Sequence, residues 1–294
     1  MRKRYIGLII IILLLAINFS IPYLANLDEE MISYPSITIG DTILEKDLEI
    51  YSYAQPIFLE GNNGESVLLI HGYLASPQEV EDLANSLNEE GYTVFAPLMS
   101  GHGTSPDALK EVTWEDWANE SDYYYNLLNS NYKKVHVIGF SLGTLSALEL
   151  GTNYDLDSLT VIGTPIFILR HELDSSALSL LIEKYAEHFS YIKKGNSILD
   201  LFLGRKTYYL FPPESILEVI EYSNEIKYKL DEVEDSILII HGKYDTTSDP
   251  YSAEYLYENI SSEEKSLFYV SSLHPVLFGL YQNSVYEEIF GFIY

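Results

Sequence analysis

A serine between two glycines is the first group in this sequence that suggests a chemistry. A short apolar run at residues 135–140 leads into Gly139-Phe140-Ser141-Leu142-Gly143, and a helix-forming run at 144–151 follows at once. This order is the pattern of a nucleophile elbow, a sharp strand-to-helix turn that lifts a serine hydroxyl above a sheet. The flanking glycines leave room for the strand and the helix to pack closely. The pattern therefore predicts Ser141 as a nucleophile.

A serine nucleophile needs a base and a group that orients the base, and two later loops carry suitable residues. Asp245 follows an apolar run at residues 236–240, and His274 follows a second run at 267–270. Open α/β sheets build their sites at the carboxyl ends of the strands. Serine, then aspartate, then histidine is also the chain order that accompanies this elbow. We therefore expect Ser141, Asp245 and His274 to converge as a catalytic triad.

Other acidic and imidazole side chains could compete for these roles, but their positions favour structural ones. Asp249 precedes a proline and is typical of a helix N-cap. His102 could line the site, but it lies upstream of the serine, between two glycines of a loop. Its expected role is to stabilise that loop. His136 lies within a buried strand, and His171 and His188 lie in the helical segment described below. No cluster has metal-ligand spacing and no dinucleotide fingerprint is present, so neither a metal nor a cofactor is predicted.

The elements that must position these residues alternate along the chain. Besides the elbow strand, buried strands are predicted at residues 66–70, 92–96, 158–162, 236–240 and 267–270. Helical patterns separate them, the first of which starts with Ser76-Pro77-Gln78-Glu79, the pattern of a capping box. Such alternation predicts a mostly parallel sheet with helices on both faces.

One segment interrupts the alternation. Between Pro165 and about Glu234 there are helix-like stretches without a strong strand, and aromatic residues are frequent. A helical insertion that follows the nucleophile predicts a small cap over the site, at about residues 166–232 and after the sixth strand. Ordinary packing of these helices against the core would use the same aromatic residues and stays the alternative.

The N-terminal sequence predicts a membrane-anchored protein. A basic cluster, Met1-Arg2-Lys3-Arg4, precedes an apolar run at 6–17, and acidic residues follow at 28–30. This charge order favours insertion with the N-terminus in the cytoplasm. We expect residues 1–27 to form an uncleaved transmembrane anchor, with a cleaved signal and a secreted protein as the alternative. Residues 28–60 would then be a membrane-proximal segment, and residues 61–294 would be an extracytoplasmic catalytic domain.

The composition limits the partners of the chain. Its 294 residues carry a net charge of −27, from 44 acidic and 17 basic side chains. Such a field repels nucleic acid, so we expect a small-molecule partner and no nucleic acid. The sequence has no cysteine, which excludes disulfides and thiol catalysis. It does not indicate an oligomeric state.

Taken together, the motifs resemble those of α/β-hydrolases, in particular the carboxylesterase and monoacylglycerol-lipase group. The resemblance covers residues 61–294 and rests on Leu69-Ile70-His71-Gly72-Tyr73, Gly101-His102-Gly103, the elbow around Ser141, His241-Gly242-Lys243-Tyr244-Asp245, and His274. It implies the α/β-hydrolase fold. It also implies that Ser141 attacks an acyl carbon, that His274 relays the proton, and that Asp245 holds the imidazole.

The resemblance further implies an oxyanion hole made by the backbone N–H groups of Tyr73 and Leu142, with His71 and Gly72 shaping the loop that aims the former. Two residues depart from the commonest pattern. Thr144 stands where a smaller residue is usual, which would shift the elbow helix. Tyr73 is bulky and would narrow the acyl pocket if its ring points inward.

The implied function is a serine hydrolase that cleaves carboxylic esters, such as a monoacylglycerol or a short-to-medium acyl ester, through an acyl-enzyme. An acyltransferase or a thioesterase would use the same triad. A hypothesis of another class is a non-catalytic binding protein on a hydrolase scaffold, which would be indicated by loss of a triad residue.

Overall fold

A seven-stranded sheet organises the computed structural model, which describes residues 30–194 and 197–294. The strands are β1 Met31–Ser33, β2 Ile37–Ile39, β3 Thr42–Leu44, β4 Glu49–Tyr51, β5 Ile57–Leu59, β6 Ser66–Ile70, β7 Thr93–Ala96, β8 Val135–Phe140, β9 Ser158–Ile162, β10 Ile192–Lys193, β11 Leu210–Phe211, β12 Ile237–Gly242 and β13 Lys265–Val270. The helices are α1 Glu81–Glu89, α2 Trp114–Asn129, α3 Gly143–Asn153, α4 Ser175–Ala186, α5 Ser197–Phe202, α6 Pro213–Lys229, α7 Tyr251–Asn259 and α8 Gln282–Ile293. Short 3-10 helices lie at Ser52–Ala54, Pro77–Val80, Pro106–Glu111 and Leu230–Glu232.

The main sheet has the strand order β13-β12-β9-β8-β6-β7-β5, and its strands are parallel except for β5, which pairs antiparallel with β7. Neighbouring residues of one strand face opposite layers. In β6, Leu68 packs in the layer that contains α2 and α3, and Leu69 packs in the layer that contains α1 and α8. Apolar residues on both faces explain why the strands appear in the sequence as continuous apolar runs. The prediction of a mostly parallel sheet covered on both faces is confirmed.

A helical insertion separates β9 from β12, which are the fifth and sixth strands of the main sheet along the chain. It therefore follows the fifth strand and not the sixth as predicted, because five strands of this sheet precede it in the described part of the chain. It contains α4, α5, α6 and the antiparallel pair β10–β11. Helix α6 buries Val219, Tyr222 and Ile226 in the main core, whereas α4 buries none of its residues. The insertion is therefore fastened to the body through α6 and carries α4 as an outer layer.

The residues before the main parallel strands also pack against the body. β1 pairs with β4, β2 pairs with β3, and β5 adds an antiparallel edge strand to the sheet. Ile39 and Ile50 are fully buried, and the Tyr51 N–H donates to the Gly103 carbonyl at 2.7 Å. The segment that the sequence suggested to be membrane-proximal is thus joined to the body of the main sheet, because apolar residues such as Ile39 and Ile50 are buried there.

The structure also corrects the predicted location. Among residues 30–194 and 197–294, no helix is both long enough and apolar enough to cross a bilayer. The segment 1–27, for which the transmembrane anchor was predicted, lies outside the described residues. The predictions of a transmembrane helix and of a membrane-anchored location are therefore wrong on this finding and are not used below.

Two glycines allow β8 and α3 to meet at the elbow. A Cβ atom on Gly139 would lie 2.4 Å from the Gly143 carbonyl oxygen. A Cβ atom on Gly143 would lie 2.2 Å from the Ile70 carbonyl oxygen, in the neighbouring strand. These separations are below any van der Waals contact, so the backbone itself would have to move to accept a side chain.

We predict that Gly143→Ala destabilises the protein by at least about 2 kcal/mol, because the added methyl group overpacks against fixed backbone. Chemical denaturation monitored by circular dichroism measures the change. Gly291→Ala is the matched control, since nothing lies within 4 Å of its ideal Cβ position in α8. The control should be neutral or stabilising by up to about 1 kcal/mol. Equal stabilities of the two variants would contradict the packing described for the elbow.

Candidate active site

Ser141 lies on the turn between β8 and α3 in a left-handed backbone conformation, with φ of 53°. Few residues other than glycine adopt this conformation. The surrounding backbone holds it, since the Ser141 N–H donates to the Ile162 carbonyl at 2.8 Å. The Thr144 N–H and hydroxyl both donate to the Ser141 carbonyl, at 2.9 and 2.6 Å. The unusual threonine after the elbow therefore adds a hydrogen bond to the turn.

His274 joins Ser141 to Asp245. Its Nε2 lies 2.9 Å from the Ser141 Oγ, and its Nδ1 lies 2.6 Å from the Asp245 Oδ2. The ring stacks on Phe140 with centroids 5.5 Å apart, and a Cβ on Gly163 would lie 3.4 Å from its Cε1. The loops after β8, β12 and β13 thus bring together the three side chains that the sequence suggested.

Asp245 is buried, and each of its carboxylate oxygens has polar neighbours. Oδ1 accepts from the backbone N–H groups of Thr247 and Ser248, at 2.8 and 3.0 Å. Oδ2 faces His274 and also lies 3.3 Å from the His241 Nε2. Burial alone would raise the pKa of Asp245, but the charge of His274 and the hydrogen bonds from His241 and His274 lower this pKa well below its usual range. The group is therefore an anion that can stabilise a positively charged imidazole.

Gly72 lies directly against the serine, since a Cβ on Gly72 would be 3.0 Å from the Ser141 Cβ. Within the described part of the chain, neither the Tyr73 N–H nor the Leu142 N–H donates to a protein acceptor. The Tyr73 hydroxyl bonds with Ser215 at the start of α6, and its ring meets Phe211 edge-on with centroids 5.8 Å apart. The Tyr73 ring is thus held by the insertion, while its N–H remains available to a ligand.

A buried pair of imidazoles supports this loop from behind. His71 Nδ1 donates to the Gly72 carbonyl at 2.9 Å, and its Nε2 accepts from the Met99 N–H at 3.2 Å. His102 Nδ1 lies 3.0 Å from the Ser100 carbonyl, and the two rings meet edge-on with centroids 5.0 Å apart. Burial lowers the pKa of His71 to about 4 and that of His102 to about 3.

His136 and His171 make contacts away from Ser141, and His188 is exposed just after α4. His136 bonds with the Ser158 hydroxyl at 2.7 Å and lies 3.2 Å from Glu65. Asp249 accepts from the Tyr251 N–H at the start of α7. It also accepts from the backbone N–H and the ring Nδ1 of His171. His171, Glu172 and Asp249 place three ligand atoms within 4.8 Å of one another, a cluster that sequence spacing did not suggest. Since two of its members are exposed and Asp249 is engaged by the helix start, we assign it no metal.

Sequence reasoning missed Glu79 and Arg205. The capping-box pattern predicted that the Glu79 carboxylate would bond within its own helix start. Instead its Oε2 accepts from the Gly72 N–H at 2.9 Å, and its Oε1 pairs with Arg205 from the insertion. The only sequence signal was an acidic residue a few positions beyond the predicted oxyanion loop, which is too common to indicate this contact.

Comparison with known proteins adds to this geometry. A family model described as alpha/beta hydrolase fold matches residues 65–189. A carboxylesterase from Bacillus subtilis is 24% identical over 241 residues, which are 81% of this chain and 96% of the relative. A thermostable monoacylglycerol lipase from a Bacillus species is 26% identical over 226 residues, 76% of this chain and 87% of the relative.

Solved structures give the same result for the fold. A structure reported for the metagenome-derived lipolytic enzymes LipS and LipT aligns with a TM-score of 0.74 at 22% identity, over 83% of this chain and 98% of that one. A soluble variant of monoglyceride lipase from Saccharomyces cerevisiae aligns with a TM-score of 0.69 at 17% identity, over 93% and 98%. The expected fold and the expected resemblance to carboxylesterases and monoacylglycerol lipases are both confirmed.

We predict that the imidazoles of His71 and His102 stay neutral from pH 8 down to about pH 5, because burial lowers both pKa values below that range. Two-dimensional NMR of the histidine ring nitrogens measures the titration, and the urea-unfolded protein, in which both should titrate near about 6.5, is the control. Because the unfolded chain binds these protons first, acidification from about pH 7 to 4 should lower the stability. Charged rings at pH 6 would contradict the buried arrangement.

Proposed function

Because this chain is an α/β-hydrolase of the esterase and lipase type, we propose that it is a serine hydrolase that cleaves carboxylic esters through an acyl-enzyme. The observation that carries the proposal is the unbroken series of hydrogen bonds from the Ser141 Oγ through His274 to the Asp245 carboxylate, at 2.9 and 2.6 Å. This series is the arrangement that activates a serine hydroxyl for attack on an acyl group.

In the acylation step, the Ser141 Oγ forms a bond to the acyl carbon while His274 Nε2 takes the hydroxyl proton. The carbonyl oxygen becomes an oxyanion, which the N–H groups of Tyr73 and Leu142 would receive. Both groups lack protein acceptors in the part of the chain that the structure describes, which supports this role. Collapse of the intermediate breaks the ester C–O bond, and His274 gives its proton to the departing alcohol.

Deacylation repeats these steps with water. His274 removes a proton from water as the water oxygen attacks the acyl carbon, and Ser141 leaves with that proton restored. The Asp245 carboxylate stabilises the imidazolium in both halves of the cycle, and its low pKa keeps it ionised there. An alcohol that replaced water would turn the same site into an acyltransferase.

We infer an uncharged ester with an apolar acyl part as the substrate. Leu273 precedes His274 and is 42% exposed, and Leu169 is 45% exposed where its N–H donates to the carbonyl of Thr247, a neighbour of Asp245. Apolar side chains at the margin of the site favour an acyl chain over a sugar or a nucleotide. The net charge of −27 also disfavours anionic substrates. Monoacylglycerols and short-to-medium acyl esters meet these requirements.

We predict that Ser141→Ala lowers kcat for nitrophenyl butyrate by at least about 10⁴-fold, because no other group can form the acyl-enzyme. A fluorophosphonate probe should label the wild-type protein at Ser141, as located by peptide mass spectrometry. Ser271→Ala, in the exposed loop before His274, should keep both activity and labelling. If Ser141→Ala retained ester turnover, or if the folded wild-type protein were neither active nor labelled, the proposal would fail and a binding role would replace it.

We predict that Asp245→Asn lowers kcat/KM by about 10³- to 10⁴-fold at pH 7, since an amide would present a donor to Nδ1 and favour the wrong imidazole tautomer. Steady-state hydrolysis of the same ester measures the loss. Asp249→Asn is the matched control, because Asp249 is a nearby carboxylate that contacts His171 and the start of α7 rather than His274. Similar losses in the two variants would argue against Asp245 as the group that orients the base.

A further inference from the structure

A row of buried charges runs from the insertion to the loop that carries Tyr73. Lys194 pairs with Asp200 at 2.8 Å, Asp200 pairs with Arg205, and Arg205 pairs with Glu79. The side chains of Glu79 and Arg205 are only 2% and 7% exposed. A buried carboxylate without a partner is costly, so the ion pair with Arg205 offsets the cost of burying Glu79 in this position.

The second carboxylate oxygen of Glu79 accepts a hydrogen bond from the backbone beside Ser141. Its Oε2 accepts from the Gly72 N–H at 2.9 Å, while the Gly72 carbonyl accepts from His71 Nδ1 at 2.9 Å. The Gly72 carbonyl and the Tyr73 N–H belong to the same planar peptide group, so their directions are coupled. Fixing Gly72 on both sides therefore fixes the direction in which the Tyr73 N–H points.

The insertion contacts the Tyr73 loop and the residues after it at further points besides the Arg205–Glu79 ion pair. The Tyr208 N–H donates to the Leu74 carbonyl at 2.8 Å, where Leu74 has a left-handed backbone with φ of 62°. The Lys206 N–H reaches the Gln78 side chain at 3.3 Å. The Arg205 guanidinium also lies over the ring of Phe278, 5.4 Å from its centroid, in the loop that follows His274. Arg205 thus contacts both the 3-10 helix that follows the Tyr73 loop and the segment that follows His274.

We infer that Glu79 and Arg205 are positioning residues that aim the Tyr73 N–H at the oxyanion, so that docking of the insertion completes the oxyanion hole. The inference rests on the proposed function and assigns the insertion a part in catalysis. Neither residue reaches the reacting atoms. Their loss should therefore weaken binding of the transition state and leave binding of the ester largely unchanged.

The decisive variant is Glu79→Leu/Arg205→Met, which removes both charges and leaves no unpaired ion in the interior, so that folding is preserved. The Gly72 N–H then loses its acceptor. We expect kcat for nitrophenyl butyrate to fall by about 10- to 100-fold with KM within about twofold, the size of effect that a misplaced catalytic group causes. Glu79→Gln retains an oxygen that can accept from Gly72 and should recover part of the lost kcat.

A second readout separates positioning from general structure. An alkyl trifluoromethyl ketone adds to the serine hydroxyl and places an oxyanion in the same hole, so its inhibition constant should rise by the same factor as kcat falls. Glu149→Leu/Lys229→Met is the matched control. That pair joins α6 to α3 at 2.9 Å and does not involve the Tyr73 loop. Its kcat, KM and inhibition constant should stay within about twofold of wild type.

Wild-type kcat in Glu79→Leu/Arg205→Met would overturn the inference, and so would a fall in kcat that the control pair matches or that leaves the inhibition constant unchanged. These outcomes are distinct from failure of the proposed function. That failure would appear as an inactive wild-type protein or an active Ser141→Ala variant, whereas the inference is tested only where wild type is active and Ser141→Ala is not.

Discussion

The left-handed backbone of Ser141 is the constraint on which the rest of the site depends. A residue with a side chain adopts this conformation at a cost of about 1–3 kcal/mol, so the surrounding structure must hold it there. The close contact of β8 with α3 provides this support, together with hydrogen bonds to Ile162 and from Thr144. The same turn directs the hydroxyl towards the loops after β12 and β13. His274, which Asp245 holds, lies within hydrogen-bond distance of the serine hydroxyl only because the elbow keeps Ser141 in this conformation.

Two buried carboxylates lie near the serine and contact different partners. Asp245 holds an imidazole, and its charge is balanced by backbone N–H groups and two histidines. Glu79 holds a backbone N–H, and its charge is balanced by an arginine from the insertion. One oxygen of each carboxylate contacts a residue next to Ser141 or hydrogen-bonded to it, Gly72 or His274. The other contacts are donors that reduce the free-energy cost of burying the charge. The imidazole of His274 and the loop that carries Tyr73 are thus both fixed by buried charges.

The sequence was informative where a signal is local. The six parallel strands of the main sheet were predicted within about three residues because they are continuous apolar runs between turn signals, and Ser141, Asp245 and His274 lie within a few residues of the ends of such runs. β5 was not predicted, because a strand of three residues is too short to show a recognisable pattern of apolar and polar residues. Glu79 and Arg205 are 126 positions apart, and no local pattern links residues at that separation. The basic and apolar N-terminus gave a clear signal for an anchor, yet the part of the chain that the structure describes contains no membrane-crossing helix.

The buried row of charges also bears on how the molecule responds to dissolved ions. Arg205 and Lys194 are two of only 17 basic side chains set against 44 acidic ones, and both lie mostly out of water. Salt screens exposed charges over a Debye length of about 10 Å at 0.1 M and affects buried pairs much less. Added electrolyte therefore eases the mutual repulsion of the acidic exterior without loosening the joint between the insertion and the Tyr73 loop. A saline medium would leave the geometry around Ser141 intact while favouring the compact chain.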